Sequence, residues 1–337
     1  MKKLKKFKLS SIFTLVMVMM LTVVLAACGT DSKEAEGGAE TNAAAGSNGT
    51  AEQAQQSEVT IAHKLGETTL ETNPEKVVVF DMGILDSLDK LGIEVTGVPQ
   101  ANIPPYLEKY NDSKYANVGS LKEPDFEKIA EISPDLIIIS GRQSDSYEEL
   151  SKIGKTIYLG VDTTRYMDSY KENMQVLGQI FNKTEEVNTE IAKVEDEIKV
   201  LNEKVTASGK NALIILANEG KISAYGAGSR FGIIHDVFGF TPVDEAIEVS
   251  THGQSVSFEY IVEKDPDYLF VVDRGVITSD EKASSAKDLV ENSLVKNTKA
   301  YKEGHIVYLD ANYWYLSGGG LASVSEMVKE VSAAFEE

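Results

Sequence analysis

From Glu58 onward, short apolar runs alternate with helical patterns. Strands are predicted at residues 77–81, 136–140, 156–161, 212–217, 268–273 and 305–310. Each run is rich in Val, Ile or Leu and continuously apolar, as parallel strands buried on both faces are. Residues 222–225 form a further strand. Helical stretches lie between the strands, among them 85–91 and 229–238. That alternation predicts an α/β fold. Residues 59–70 instead alternate around Gly66 and predict a leading hairpin.

One unit occurs twice. Residues 125–142 read DFEKIAEISPDLIIISGR and residues 257–274 read SFEYIVEKDPDYLFVVDR, without a gap. Phe126, Glu127, Ile129, Glu131, Pro134, Asp135 and Arg142 match Phe258, Glu259, Ile261, Glu263, Pro266, Asp267 and Arg274. Asp125 and Ser257 suit the N-cap of a short helix. Phe and Ile three apart give that helix an inward face. Pro-Asp breaks it and starts a strand, and Arg follows at the strand's carboxyl end, where open α/β sheets bind ligands. Between the copies, residues 184–206 place Val187, Ile191, Val194, Ile198, Leu201 and Val205 three or four apart. Thr184 is a candidate cap, Glu185 and Glu186 suit the first turn, and Gly209 marks the end. Such a helix is a rod of about 35 Å. The simplest assembly is two similar α/β lobes, 58–183 and 207–337, joined by one long helix.

The first 57 residues have a different character. Residues 1–11 hold five Lys and no acid, and an apolar run follows from Ile12 to Ala27. A basic start and a short apolar run read as a secretory signal, too short to favour a span of about 20 residues. Residues 29–57 contain no aromatic residue, Leu, Ile, Val or Met. Such a segment cannot bury enough to offset its ordering entropy and reads as a flexible tether. Its reach is about 30 Å.

Charge narrows the function. Lys and Arg number 33 against 53 acids, a net of −20. Removing residues 1–27 takes away five Lys and no acid, leaving −25. Nucleic-acid binding, which needs a basic footprint, is excluded as a general property. Cys28 is the only cysteine, so neither a disulfide within the chain nor a Cys-ligated zinc or iron–sulfur site can form. Only Arg142, Arg165, Arg230 and Arg274 are arginines. Arg142 and Arg274 end their strands, and Arg230 lies in GAGSRFG after residues 222–225. Clustered guanidiniums at such places can neutralise an anionic ligand.

Leu25-Ala26-Ala27-Cys28 resembles the lipobox of bacterial lipoproteins, in which the Cys is lipidated. With the tether, the repeated lobes and the linking helix, the chain resembles the substrate-binding lipoproteins of ABC importers, in the ferric-siderophore and vitamin B12 class. KVVVFDMGILDSLDKLG, VGSLKEPDFEKIAEISPDLIIISGRQS, STHGQSVSFEYI and WYLSGGG look closest to petrobactin-binding lipoproteins of Gram-positive bacteria. The resemblance covers residues 58–337. It implies a bilobal, monomeric binding protein on the outer face of the cell membrane, anchored through Cys28. Its ligand would be a ferric siderophore, which itself holds the iron; the protein would need no cofactor. Its partners would be an ABC permease and ATPase. Arg142, Arg230 and Arg274 would contact the ligand, and Glu127 and Glu259 would dock against the permease. Tyr225, Trp314, Tyr315 and His252 are further candidates for the ligand, with Tyr166 and Ser255 behind them.

Other readings fit less well. Gly253-Gln254-Ser255-Val256-Ser257 lacks the last Gly of a nucleophile elbow, and Gly226-Ala227-Gly228-Ser229-Arg230-Phe231 lacks the third Gly of a dinucleotide fingerprint. No catalytic constellation follows. A divalent-metal importer component would want converging histidines, whereas His63, His235, His252 and His305 are scattered. Haem and cobalamin stay open as alternative ligands.

Overall fold

The predicted strands assemble into two sheets. The computed structural model describes residues 57–101, 103–278 and 286–336, within one compact unit, Ala54–Glu337. The signal, Cys28 and the tether lie outside the described residues.

A hairpin pairs β1 (Glu58–His63) with β2 (Gly66–Glu71). Then follow β3 (Val77–Val79), α1 (Met82–Lys90), β4 (Gly97–Val98), β5 (Ala116–Asn117), α2 (Phe126–Ile132), β6 (Leu136–Ile139), α3 (Tyr147–Ile153), β7 (Thr156–Tyr158) and α4 (Tyr166–Ile180). Strands β3 to β7 form a wholly parallel sheet in the order β5-β4-β3-β6-β7. The order reverses at β3, so Asp81 and Arg142, just beyond β3 and β6, lie at the switch point where ligands bind such sheets.

Helix α5 (Thr184–Ser208) leads to the second sheet. Its strands are β8 (Asn211–Asn218), β9 (Lys221–Tyr225), β10 (Thr241–Pro242), β11 (Gln254–Val256), β12 (Tyr268–Asp273) and β13 (Ile306–Leu309). Their helices are α6 (Ile233–Asp236), α7 (Phe258–Lys264), α8 (Gly275–Thr278), α9 (Ala286–Val290), α10 (Lys299–Lys302) and α11 (Leu321–Glu336). The order is β11-β9-β8-β12-β13 with β10 beside β8, and β9 runs antiparallel to β8 and β11.

Strand alternation divides the core. Val77, Val79 and Ile138 face the same continuous core as Tyr268, Phe270 and Val272 of the second sheet, and all six apolar positions of α5 join it. Val78, Ile137 and Ile139 face a separate cluster outside the first sheet, and Leu213, Leu269 and Val271 face another outside the second. Period-two side chains on strands covered on both sides produce this division.

The repeat is realised in three dimensions. Ile129 and Ile261 are fully buried beneath α2 and α7, and Ser133 and Asp265 end these helices in the left-handed region. Asp135 accepts from the Lys76 and Glu75 amides before β3, and Asp267 exchanges hydrogen bonds with Asn211 at the start of β8. The repeated Asp thus ties each helix–strand unit to its lobe's first parallel strand.

Three expectations change. Of residues 229–238, only Ile233–Asp236 is helical, because Gly228 (φ 69°) and Gly239 (φ 93°) take left-handed conformations on either side. Lys183, not Thr184, occupies the N-cap of α5. Nor does α5 alone unite the lobes. Helix α11 packs along α5 and reaches back to α1 of the first lobe.

Asp86 organises that second junction. Its fully buried carboxylate accepts from the Ala322 amide (3.1 Å), the Ser323 amide (2.9 Å) and the Tyr106 hydroxyl (3.3 Å), so a side chain of α1 caps α11. Burial pushes the Asp86 carboxyl up to about 7, against the opposing effect of these hydrogen bonds. A folded value above the unfolded one means that Asp86 contributes stability below about pH 4 and loses it as pH rises through 7. Asp86→Asn is therefore expected to show a smaller fall in stability than the parent between pH 5 and 8, read by urea denaturation. Identical pH slopes would contradict this assignment.

Candidate functional site

A cleft of about 700 Å³ lies between the two sheets, within the usual range for small-molecule sites. Asp81 and Arg142 enter from the ends of β3 and β6, and Tyr158 from β7. The opposite wall carries Arg230, residues 249–251 and the segment from Trp314 to Leu316.

Tyr315 organises the cationic part. It belongs to a π-helical turn, Asn312–Leu316, a rare geometry frequent at functional sites. Its carbonyl oxygen accepts from Arg142 Nη2 at 3.1 Å and from Arg230 Nη2. Arg230 also stacks over its ring at 4.0 Å, and Arg274 faces that ring at 5.8 Å. Guanidiniums from both lobes therefore converge on one residue. None of the three forms an ion pair among the described residues, whereas Arg165, exposed on the outside, pairs with Glu172 at 2.6 Å. Burial and the Arg142 charge together hold Arg230 below its ordinary range. Burial alone would push the Tyr315 phenol up, but Arg230 and Arg274 outweigh it and leave the phenol lowered, a stronger hydrogen-bond donor. The result is concentrated, unneutralised positive charge in an acidic chain.

The other candidates divide. Tyr166 lines the cleft with its hydroxyl buried and without a partner. Trp314 reaches the cleft but is almost wholly buried, with Nε1 donating to Glu330 at 2.7 Å. Arg274, expected at the ligand, is not among the residues lining the cleft, and its buried Nε has no acceptor. Tyr225 does not line the cleft: it is 1% exposed, edge-on to Phe231 at 4.7 Å behind Arg230. A Tyr on the inward face of a strand packs into the core, and here that side lies behind the cleft wall. His252 is exposed beside Thr251 at the rim, and Ser255 is exposed on β11. The four histidines do not converge. His63 is tied to Thr68, His235 to the Phe240 carbonyl, and His305 stacks on Tyr268.

Sequence reasoning missed Lys64 and Tyr158, which also line the cleft. The hairpin was legible, but not its placement beside β7. Glu127 and Glu259 both stand exposed at the second position of their helices, as the repeat requires.

Two α/β lobes enclosing a cleft at strand ends, with arginines from both lobes turned into it, define a bilobal solute-binding protein. The chain belongs to the family described as periplasmic binding protein, whose sequence model matches residues 77–313. It is 50% identical to the petrobactin-binding protein of Bacillus subtilis (strain 168), over 96% of this chain and 99% of that protein. It is 30% identical to the ferric-anguibactin-binding protein of Vibrio anguillarum, over 82% of this chain and 88% of that one. The crystal structure of the B. subtilis petrobactin-binding protein superposes with a TM-score of 0.80 at 54% identity, covering 83% of this chain and 99% of that one. A catecholate-siderophore binding protein from Vibrio cholerae gives 0.79 at 39% identity, covering 82% and 100%.

Proposed function

We propose that this chain captures a ferric siderophore, petrobactin or a related catecholate, outside the cell and delivers it to an ABC permease for iron uptake. The observation that carries this reading is the convergence of Arg142, Arg230 and Arg274 on Tyr315 without a carboxylate partner. A ferric catecholate complex carries several negative charges on oxygens, which guanidiniums neutralise and hydrogen-bond. The similarity to binding proteins for petrobactin and ferric anguibactin points to the same ligand class. Haem and cobalamin fit the cleft's charge less well. The chain's net charge of −20 does not oppose an anionic ligand, because salt screens exposed charges beyond about 8–10 Å while the arginines act at contact.

Lipidation of Cys28 would hold the protein at the membrane, with residues 29–57 as tether and a monomer as the working unit. Glu127 and Glu259 are the proposed permease contacts. Replacing both by Ala is expected to leave ferric petrobactin binding unchanged and to cut iron uptake by cells roughly tenfold or more, as loss of paired interfacial charges does. Undiminished uptake would remove these two glutamates from the docking surface.

A further inference from the structure

The leading hairpin delivers one more charge to the cleft. Its strands pack beside β7, and Lys64, in its turn, is the one lysine among the described residues lining the cleft. The hairpin is held in place. The buried Thr68 hydroxyl donates to the Thr156 carbonyl of β7 at 2.8 Å. Thr68 also bonds His63 at 3.1 Å, and the His63 ring meets Tyr147 edge-on at 5.6 Å. Leu65 packs into the core cluster outside the first sheet. The position of the Lys64 backbone is therefore fixed by long-range contacts, although its side chain is exposed to solvent.

The ammonium lies over the Tyr158 ring, 5.7 Å from its centre, and forms no ion pair among the described residues. Two carboxylates lie near Tyr158: Asp81 in the cleft lining and Asp162 outside that lining, where it feels the Lys64 charge. Asp81 caps α1 through the Gly83 and Ile84 amides at 2.9 and 3.0 Å. Asp162 accepts from the Thr164 amide and hydroxyl at 3.0 and 2.7 Å. An ammonium with no direct ion pair, on an aromatic face at a cleft wall, is a ready partner for an anionic oxygen.

We propose that Lys64 is a specificity-determining residue, which contacts an anionic oxygen of the ligand at the hairpin end of the cleft, beside Tyr158. This inference rests on the siderophore reading above. The cleft then reads a ligand with two kinds of cation: a guanidinium cluster spanning both lobes, and one ammonium on the first lobe. Ligands with anionic oxygens at both are favoured over those with charge at one.

The test compares Lys64→Gln, Lys64→Arg and Arg230→Ala with the parent, by titration with ferric petrobactin at about 20 mM and about 500 mM salt, where screening differs strongly. Lys64→Gln is expected to bind about tenfold more weakly at low salt and within about twofold of the parent at high salt, while Lys64→Arg stays within about twofold at both. Thermal melts of the Lys64 variants should match the parent, since the side chain is exposed. If Lys64→Gln binds like the parent at low salt while Arg230→Ala loses affinity, Lys64 is a solvated rim residue and the proposal falls alone. If Arg230→Ala also binds like the parent, the arginine cluster leaves the ligand site and the two-cation reading of the cleft falls with it; if the parent itself does not bind ferric petrobactin, the siderophore reading falls. An equal loss for Lys64→Gln at both salts would assign the effect to packing and contradict the proposed charge contact.

Discussion

Arg230→Ala is expected to bind ferric petrobactin roughly 10- to 150-fold more weakly than the parent, the loss of about 1.5–3 kcal/mol for a hydrogen bond to a charged group. Arg230 has the strongest claim of the three arginines. It lines the cleft, stacks on Tyr315 and donates to the Tyr315 carbonyl. Burial and the Arg142 charge disfavour its charged form, and an anion in the cleft relieves that repulsion. Arg142→Ala should cost somewhat less, since it shares only the carbonyl contact. Losses should not add in the double variant, because both guanidiniums share one acceptor. Equilibrium titration checks this; affinity unchanged in both variants would remove the cluster from the ligand site.

The second large effect is on folding. Gly320→Ala is expected to destabilise the protein by about 3 kcal/mol or more, because a Cβ there overlaps Asp86 Oδ1 and the Gly83 carbonyl oxygen. Neither neighbour can move freely. Gly83 is backbone of α1, and Asp86 is fixed by three donors. A shift there would pull α11 away from α1 and uncap its first turn. Gly318→Ala, two residues earlier, meets nothing nearer than 3.4 Å and should cost under about 1 kcal/mol. Urea denaturation of both variants separates a crowded junction from a general need for glycine in the loop. Equal costs would contradict the crowding argument.

The legible parts of the chain were those with periodicity. Every apolar position read on α5, from Val187 to Val205, is buried. The repeat placed Arg142 and Arg274 beyond matching strands and Glu127 and Glu259 on matching helix starts. What stayed illegible depends on contacts between distant segments. Asp86 reads as a solvated acid within GILDSLDKLG, and only its partners 236 and 237 residues away make it a buried cap. Lys64 has no sequence signal, because its place in the cleft follows from the Thr68–Thr156 bond. Tyr225 is a ligand candidate only through the resemblance. The strand instead turns it inward against Phe231, and Tyr315 covers the arginines.

The most direct test of the siderophore reading is a fluorescence titration of residues 29–337, with Trp314, the only tryptophan, at the cleft wall as reporter. The ligands would be ferric petrobactin, a ferric tris-catecholate, a ferric hydroxamate, haem and cobalamin. Saturable quenching at one equivalent by ferric petrobactin, with weaker response to the hydroxamate, haem and cobalamin, is the predicted result. Tight binding of cobalamin or the hydroxamate with no response to either catecholate complex would contradict the account of the arginine cluster.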